Sequence, residues 1–407
     1  MGAEIAQVIS HSGLPVVLKE VSDELAQKAL GSIRHIYQAR VDKGKMTLQD
    51  MESKMSLVSV TTKYEDLKEA DIVIEAVPEK LELKKKVFKD LDGLLPSQAI
   101  LASNTSALSI SALGGATKRP DKVVGIHFFY PAHVMKLIEV IPGLGTSEET
   151  VADTISFCES LRKLPVRVNE CAGFLVNRLL MPYLNEAAFC AGGTDATMRD
   201  IDKTMVEFGF PMGPFILVDT IGLDICHDVA GVLLEEYGNR MTPAPLWGEI
   251  FKLGRYGVKN GHGFYEYGAP PYGGAAPSND WGAATGSDTA VEAVVSRLKK
   301  DAKAPPSPFS AERLLLAMMN EAALCIQEHV ASPADIDIAV LAGIGFPQSR
   351  GGLLQYADAL GIDRILDRLN ELYKVHGERF FPAPLIKRMV RAGYLGKKTK
   401  KGFLEYA

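Results

Sequence analysis

The sequence predicts an α/β, doubly wound domain followed by two tandem all-α domains. Three observations carry this expectation. Short apolar runs alternate with helix-length segments through the first 170 residues, one apolar run follows its predecessor too closely for a helical crossover, and the second half contains the same helical pattern twice. Strands separated by helices imply a mainly parallel sheet with helices on both faces.

Val16 to Leu18 is a short apolar run that ends in Glu20, and Asp23 to Arg40 has helical spacing. Leu57 to Thr61 reads as a strand. Asp71 to Val77 (D-I-V-I-E-A-V) reads as a buried strand, followed by a charged helix from Leu81 to Leu95. Ala99 to Ala102 and Val123 to Phe129 are further strands. Leu137 to Ile141 comes so soon after the last of these that it is expected to run antiparallel.

The second half is an internal repeat. N-R-L-L-M-P-Y-L-N-E-A-A-F-C from Asn177 matches E-R-L-L-L-A-M-M-N-E-A-A-L-C from Glu312. Asp200-Ile201-Asp202 recurs as Asp335-Ile336-Asp337, and Gly209-Phe210-Pro211 as Gly345-Phe346-Pro347. Pro243-Ala244-Pro245-Leu246 returns as Pro382-Ala383-Pro384-Leu385, and both copies close on G-F-x-E-Y, from Gly263 and from Gly402. The expected boundaries are 1–170 for the α/β domain, 171–268 and 309–407 for the helical copies, and 269–308 for a linker. That linker is rich in Gly, Pro and Ala, apart from a helix at Ala290 to Lys300.

The net charge of -5, without a Lys/Arg-rich face, gives no reason to propose nucleic acid. No apolar run approaches the roughly 20 residues of a membrane span, and Met1 to Lys19 lacks the pattern of a signal peptide. The five cysteines are scattered and form no C-x-x-C pair, so no metal is expected. They read as buried free thiols of a cytoplasmic, reducing compartment.

A dinucleotide site needs a glycine turn, a helix whose first N–H groups face the pyrophosphate, and an acidic residue ending the next strand. Gly2 opens an apolar helix running to about His11, and Glu20 ends the strand after it. Glu20 would accept the ribose hydroxyls and repel a 2′-phosphate, which favours NAD. A carboxylate in that place also reads as an ordinary solvated loop residue.

The segments E-A-V-P-E-K (Glu75 to Lys80), S-N-T-S (Ser103 to Ser106), H-F-F-Y-P (His127 to Pro131), K-L-I-E-V-I (Lys136 to Ile141), G-F-L-V-N-R-L-L (Gly173 to Leu180) and P-M-G-P-F (Pro211 to Phe215) resemble the 3-hydroxyacyl-CoA dehydrogenase family across nearly the whole chain. The tandem helical copies further resemble the dehydrogenase half of the multifunctional fatty-acid oxidation complex alpha subunit. The resemblance implies an α/β Rossmann-type doubly wound domain, with its first strand missing, followed by two tandem all-α domains. It places Glu79, Lys84, Ser106 and Lys259 against the cofactor NAD, with Gly2 in the phosphate turn and Glu20 on the ribose. Because the opening strand and first glycines of the pattern are absent, the chain is expected to be N-terminally truncated and to bind NAD weakly.

The chemistry rests on four residues, Ser106, His127, Glu139 and Asn177. An antiparallel pairing symmetric about His133 puts His127 opposite Glu139 with both side chains on one face. A carboxylate there holds the imidazole in one tautomer and raises its proton affinity. His127 would take the proton of a 3-hydroxyl as hydride leaves C3. Ser106 would bond the substrate oxygen or position His127, and Asn177 would hold the thioester carbonyl or the reacting oxygen. Taken singly, Ser106 and Asn177 read as helix caps, and His127 with Glu139 as a satisfied polar pair.

Glu312 stands in the second copy where Asn177 stands in the first, and that copy is expected to be structural. Arg34, Arg40, Lys43 and Lys45 could meet a CoA moiety but read first as a solvated helix face. The expected partners are an acyl-CoA thioester and a thiolase subunit. Relatives with one helical copy resemble dimers, and two copies in one chain could supply that contact internally. The competing expectation is a truncated, non-catalytic assembly module.

Overall fold

Parallel strands and intervening helices build the first part of the chain, and helices alone dominate the rest. The computed structural model describes residues 1–267, 284–301 and 308–407. They divide into two units, Met1–Phe174 and Leu175–Ala407.

In the first unit, β1 (Val16–Lys19) and β2 (Val58–Thr61) pair in parallel. They carry α1 (Gly2–His11), α2 (Asp23–Asp42) and α3 (Leu48–Met55). Ser22 and Thr47 start α2 and α3 by accepting the N–H groups of Leu25 and Asp50, which would otherwise have no partner. Five further strands form one sheet in chain order: β3 (Ile72–Glu75), β4 (Ile100–Ser103), β5 (Val123–Phe128), β6 (Leu137–Pro142) and β7 (Leu164–Arg167). Among the described residues the β1–β2 pair shares no ladder with this sheet. The helices α4 (Leu81–Asp92), α5 (Ile110–Gly114) and α6 (Glu148–Ser160) complete the unit.

The strands β3, β4 and β5 are parallel, whereas β6 returns antiparallel to β5, as its short connection requires. Side chains alternate across the pleat. Val124, Ile126, Phe128, Ile138 and Val140 pack with Ile5 and Val8 of α1 and with Val151 and Cys158 of α6. Burying each such aliphatic side chain contributes roughly 1.5–3 kcal/mol. The intervening positions, which include His127 and Glu139, face the other side. There a Cβ on Gly125 would lie 2.9 Å from Ile110 Cδ1, so the missing side chain lets α5 close on the strand that carries His127.

The second unit holds both helical copies. The first comprises α7 (Val176–Gly193), α8 (Met198–Phe208), α9 (Pro214–Ile221), α10 (Leu223–Tyr237), α11 (Pro245–Lys252) and β8 (Tyr265–Tyr267). Next come β9 (Ala284–Ser287), paired antiparallel with β8, and α12 (Thr289–Asp301), the helix expected within the linker. The other linker residues, 268–283 and 302–307, lie outside the described residues. The second copy comprises α13 (Ala311–Gln327), α14 (Pro333–Ala339), α15 (Leu353–Leu360), α16 (Ile362–His376) and α17 (Pro384–Arg391).

A buried aspartate ties the end of each copy to its middle. Asp219 accepts the N–H groups of Phe264 and Tyr265 at 2.8 and 3.0 Å and the Tyr267 hydroxyl at 2.9 Å. Asp358 does the same for Phe403, Leu404 and Tyr406, each at 2.9 Å. A Cβ on Gly263 or Gly402 would stand 2.0 Å from the aspartate Oδ1, which explains the glycine that opens both closing motifs.

The copies meet through α7 and α13 by exchanged ion pairs. Arg178 donates from Nε to Glu321 at 2.8 Å, and its counterpart Arg313 donates from Nε to Glu186, the counterpart of Glu321, at 2.6 Å. Arg240 reaches Glu321 at 3.3 Å, and its counterpart Arg379 reaches Glu186 at 2.7 Å. These four contacts therefore form two pairs with the roles of the copies reversed, the signature of a two-fold arrangement, while Arg178 also meets Glu328 at 2.6 Å, a contact for which the first copy has Gly193 and no counterpart.

Candidate active site

His127 lies at the end of β5 directly opposite Glu139 of β6. Its Nδ1 is 2.7 Å from Glu139 Oε2, and the two residues are 5% and 0% exposed. Buried from water, this contact holds the ring in one orientation. The carboxylate can only accept, so it selects the tautomer with the proton on Nδ1 and leaves Nε2 to take a proton. Phe129 and Phe174 pack against the imidazole at 4.5 and 5.9 Å between ring centroids.

The ends of β3 and β4 form a second polar group. Lys84 on α4 is 1% exposed and donates to Glu75 Oε1 and Oε2 at 2.8 and 3.1 Å and to the Val77 carbonyl at 3.2 Å. Glu79 stands 3.3 Å from the same ammonium, and Ser103 donates to Glu75 at 2.7 Å. Glu79 also accepts the Thr105 hydroxyl and, at 2.9 Å, the Ser106 N–H. The ammonium of Lys84 is thus directed at protein acceptors, and it orients the two glutamates.

Asn104 was missed by sequence reasoning. Its Oδ1 accepts the Phe128 N–H at 2.8 Å, which joins the end of β4 to the residue after His127. S-N-T-S contained the signal, since a short amide between two strand ends can bridge them, but only the hydroxyl at 106 was singled out.

The cap readings of Ser106 and Asn177 do not hold. Ser106 lies in the turn after β4, where Thr105 Oγ1 accepts the Leu108 N–H, and α5 is capped by Ser109. Asn177 is already inside α7, whose N-cap is Leu175.

For the dinucleotide, Gly2 is the first residue of α1, whose opening N–H groups have no partner within the helix. Glu20 follows β1 and is half-buried. This donor and acceptor set fits a pyrophosphate and a ribose. Lys259, in the second unit, pairs with Asp224 beside Gly222. Its counterpart Lys398 pairs in the same way with Asp363 at 2.6 Å, so each copy makes this ion pair.

Residues 1–171 match the family model described as 3-hydroxyacyl-CoA dehydrogenase, NAD binding domain. Residues 173–267 and 309–406 match the one described as 3-hydroxyacyl-CoA dehydrogenase, C-terminal domain. The chain belongs to the 3-hydroxyacyl-CoA dehydrogenase family. It is 37% identical over 398 residues to the fatty acid oxidation complex subunit alpha of Idiomarina loihiensis, and 38% identical over 396 residues to that of Shewanella amazonensis. Each match takes in 97% of this chain and 54% of the relative, so the chain spans about half the length of the curated relatives it matches.

Among solved structures, 3-hydroxybutyryl-CoA dehydrogenase of Escherichia coli superposes with a TM-score of 0.84 at 30% identity, over 97% of both chains. The (S)-3-hydroxybutyryl-CoA dehydrogenase of Ralstonia eutropha matches with a TM-score of 0.63 at 39% identity, over 66% of this chain and 95% of that one. No helix among the described residues is long and apolar enough to cross a membrane.

Proposed function

We propose that this chain oxidises 3-hydroxyacyl-CoA thioesters to 3-oxoacyl-CoA thioesters in fatty-acid β-oxidation, in the cytoplasm. The observation that carries the reading is the buried His127–Glu139 pair, which has the form of a general base held in one tautomer. His127 Nε2 accepts the proton of the 3-hydroxyl, and Glu139 stabilises the imidazolium that results. The α1 N-terminus and Glu20 would hold NAD, which when bound would supply the acceptor for the hydride that leaves C3. Ser106 bonds the reacting oxygen, and Asn177 contributes an amide donor to a substrate carbonyl or oxygen. In reduction His127 returns the proton.

The test is NADH formation from 3-hydroxybutyryl-CoA by the full chain. Replacing His127→Gln keeps the ring's approximate volume and removes the base, so turnover should fall about 10²- to 10⁴-fold. Turnover unchanged by His127→Gln removes the proposed base.

A second reading rests on the relatives' description as a subunit of a complex and on the half of their length that this chain spans. In it the helical unit docks a partner subunit of the thiolase class, and this chain contributes assembly. Binding of such a subunit with no NADH formation would support it over the first.

A further inference from the structure

The two helical copies differ on one outward helix face. In the second copy, Glu312 Oε1 is 3.1 Å from Arg364 Nη2, and Oε2 is 3.4 Å from Arg368 Nε. Arg368 also pairs with Glu371. All three partners of this network lie on α16, at a spacing that places them on one face. It is a charged surface of the kind a solvated helix carries.

A constant offset places Ile225, Val229 and Val232 of α10 at these three positions in the first copy. Ile225 is 49% exposed and Val232 36%, and Val229 is half-buried. The inward faces of the two helices remain alike: Leu223, Cys226, Ala230 and Leu233 are buried in α10, and Ile362, Ile365 and Leu369 in α16. The change from charged to apolar is therefore confined to the outer face, where core packing does not demand it.

The same repeat locates the stripe. Glu312 occupies the place of Asn177, and its arginine partners occupy the places of Ile225 and Val229. The first-copy helices that carry these residues, α7 and α10, are packed together. By that correspondence Ile225 and Val229 take the places beside Asn177 that the charged cluster takes beside Glu312. From Ile225 to Val232 the stripe extends about 10 Å along the helix at about 1.5 Å per residue.

We propose that Ile225, Val229 and Val232 seat the acyl tail of the thioester and set the preference for chain length. This rests on the dehydrogenase reading, in which Asn177 holds a substrate oxygen and the acyl carbons continue from that end. A fatty chain is the occupant that a narrow apolar stripe beside a carbonyl-binding amide fits.

The experiment is calorimetric titration of the full chain with butyryl-CoA and decanoyl-CoA. Each methylene fully removed from water contributes up to about fourfold in affinity, so decanoyl-CoA should bind on the order of tenfold tighter or more. Ile225→Arg places the second copy's residue at an exposed position and should weaken decanoyl-CoA more than butyryl-CoA, bringing the two affinities within about twofold of each other. The double variant Ile225→Ala with Val232→Ala should narrow the ratio without adding charge. A ratio near one in the unsubstituted chain overturns the proposal. So does a ratio that survives in both variants, or an equal loss for both ligands. NADH formation is measured beside it: a chain-length ratio without turnover sinks the dehydrogenase reading alone, and turnover without a ratio sinks the acyl seat alone.

Discussion

Glu75 and Lys84 carry opposite charges, with 1% of each side chain exposed. Such a pair is weak evidence for net stability but dangerous to break, because the surviving charge stays buried without its partner. Lys84→Met should therefore destabilise the first unit by roughly 3–5 kcal/mol, read as a lowered denaturant midpoint. Adding Glu75→Gln to it should restore part of the loss, since the stranded charge is then gone. The double variant being less stable than Lys84→Met would contradict this account.

The opposition of His127 and Glu139 was legible in the sequence because two-residue alternation and a short connection leave few registers. The surroundings of Lys84 were not. They arise where the ends of β3 and β4 bring Glu75, Val77, Glu79 and Ser103 together, and no local spacing encodes that meeting. Resemblance supplied Lys84 as a cofactor contact, whereas its donors point at carboxylates of its own domain.

Individual elements show the same division. The apolar strands and the long helices α2 and α4 follow from periodicity. The expectation lacked α3, α5, α6 and β7. α5 has only five residues, and β7 carries Pro165, a residue that argues against a strand unless it lies at an edge.

The closing turns of the helical copies make their own prediction. Burial pushes Asp202 up to about 7, and Asp219 and Asp337 up to about 6, against the resistance of the N–H donors that favour their charged forms. These folded values lie above the roughly 3.9 of an unfolded aspartate, so between those limits the folded chain holds more protons. Their contribution to stability is complete below about pH 4 and is lost as pH rises to about 7. The melting temperature of the second unit should accordingly fall from pH 5 to pH 7.5. Asp202→Asn should flatten that fall, because its amide does not titrate. A slope unchanged by the substitution would place the dependence elsewhere. Gly263→Ala and Gly402→Ala should each lower the melting temperature, by comparable amounts, because each inserts a methyl 2.0 Å from an aspartate oxygen. Equal stability of either variant and the unsubstituted chain would contradict the steric reading.

At the scale of the whole chain, the repeat announced two copies but not how they meet. The apolar positions of α7 and α13 predict burial, yet nothing in their spacing says that each arginine would cross to the other copy's glutamate. Arg178 with Glu321 and Arg313 with Glu186 are at most 8% exposed. Each glutamate also accepts a second arginine, Arg240 or Arg379. The α7–α13 face pairs its buried charges within one chain, so the 44.1 kDa chain should sediment as a monomer. The reversed roles of the copies add a sharper expectation. Glu186→Ala leaves the buried Arg313 without its acceptor and should destabilise the helical unit by roughly 3–5 kcal/mol, whereas Glu321→Ala should cost less, because Arg178 keeps Glu328 at 2.6 Å. Thermal unfolding checks that order, and sedimentation of both variants checks whether the loosened copies seek partners in other chains. No loss for Glu186→Ala would mean that the copies are held by the rest of their fold, and that the exchange is not what joins them.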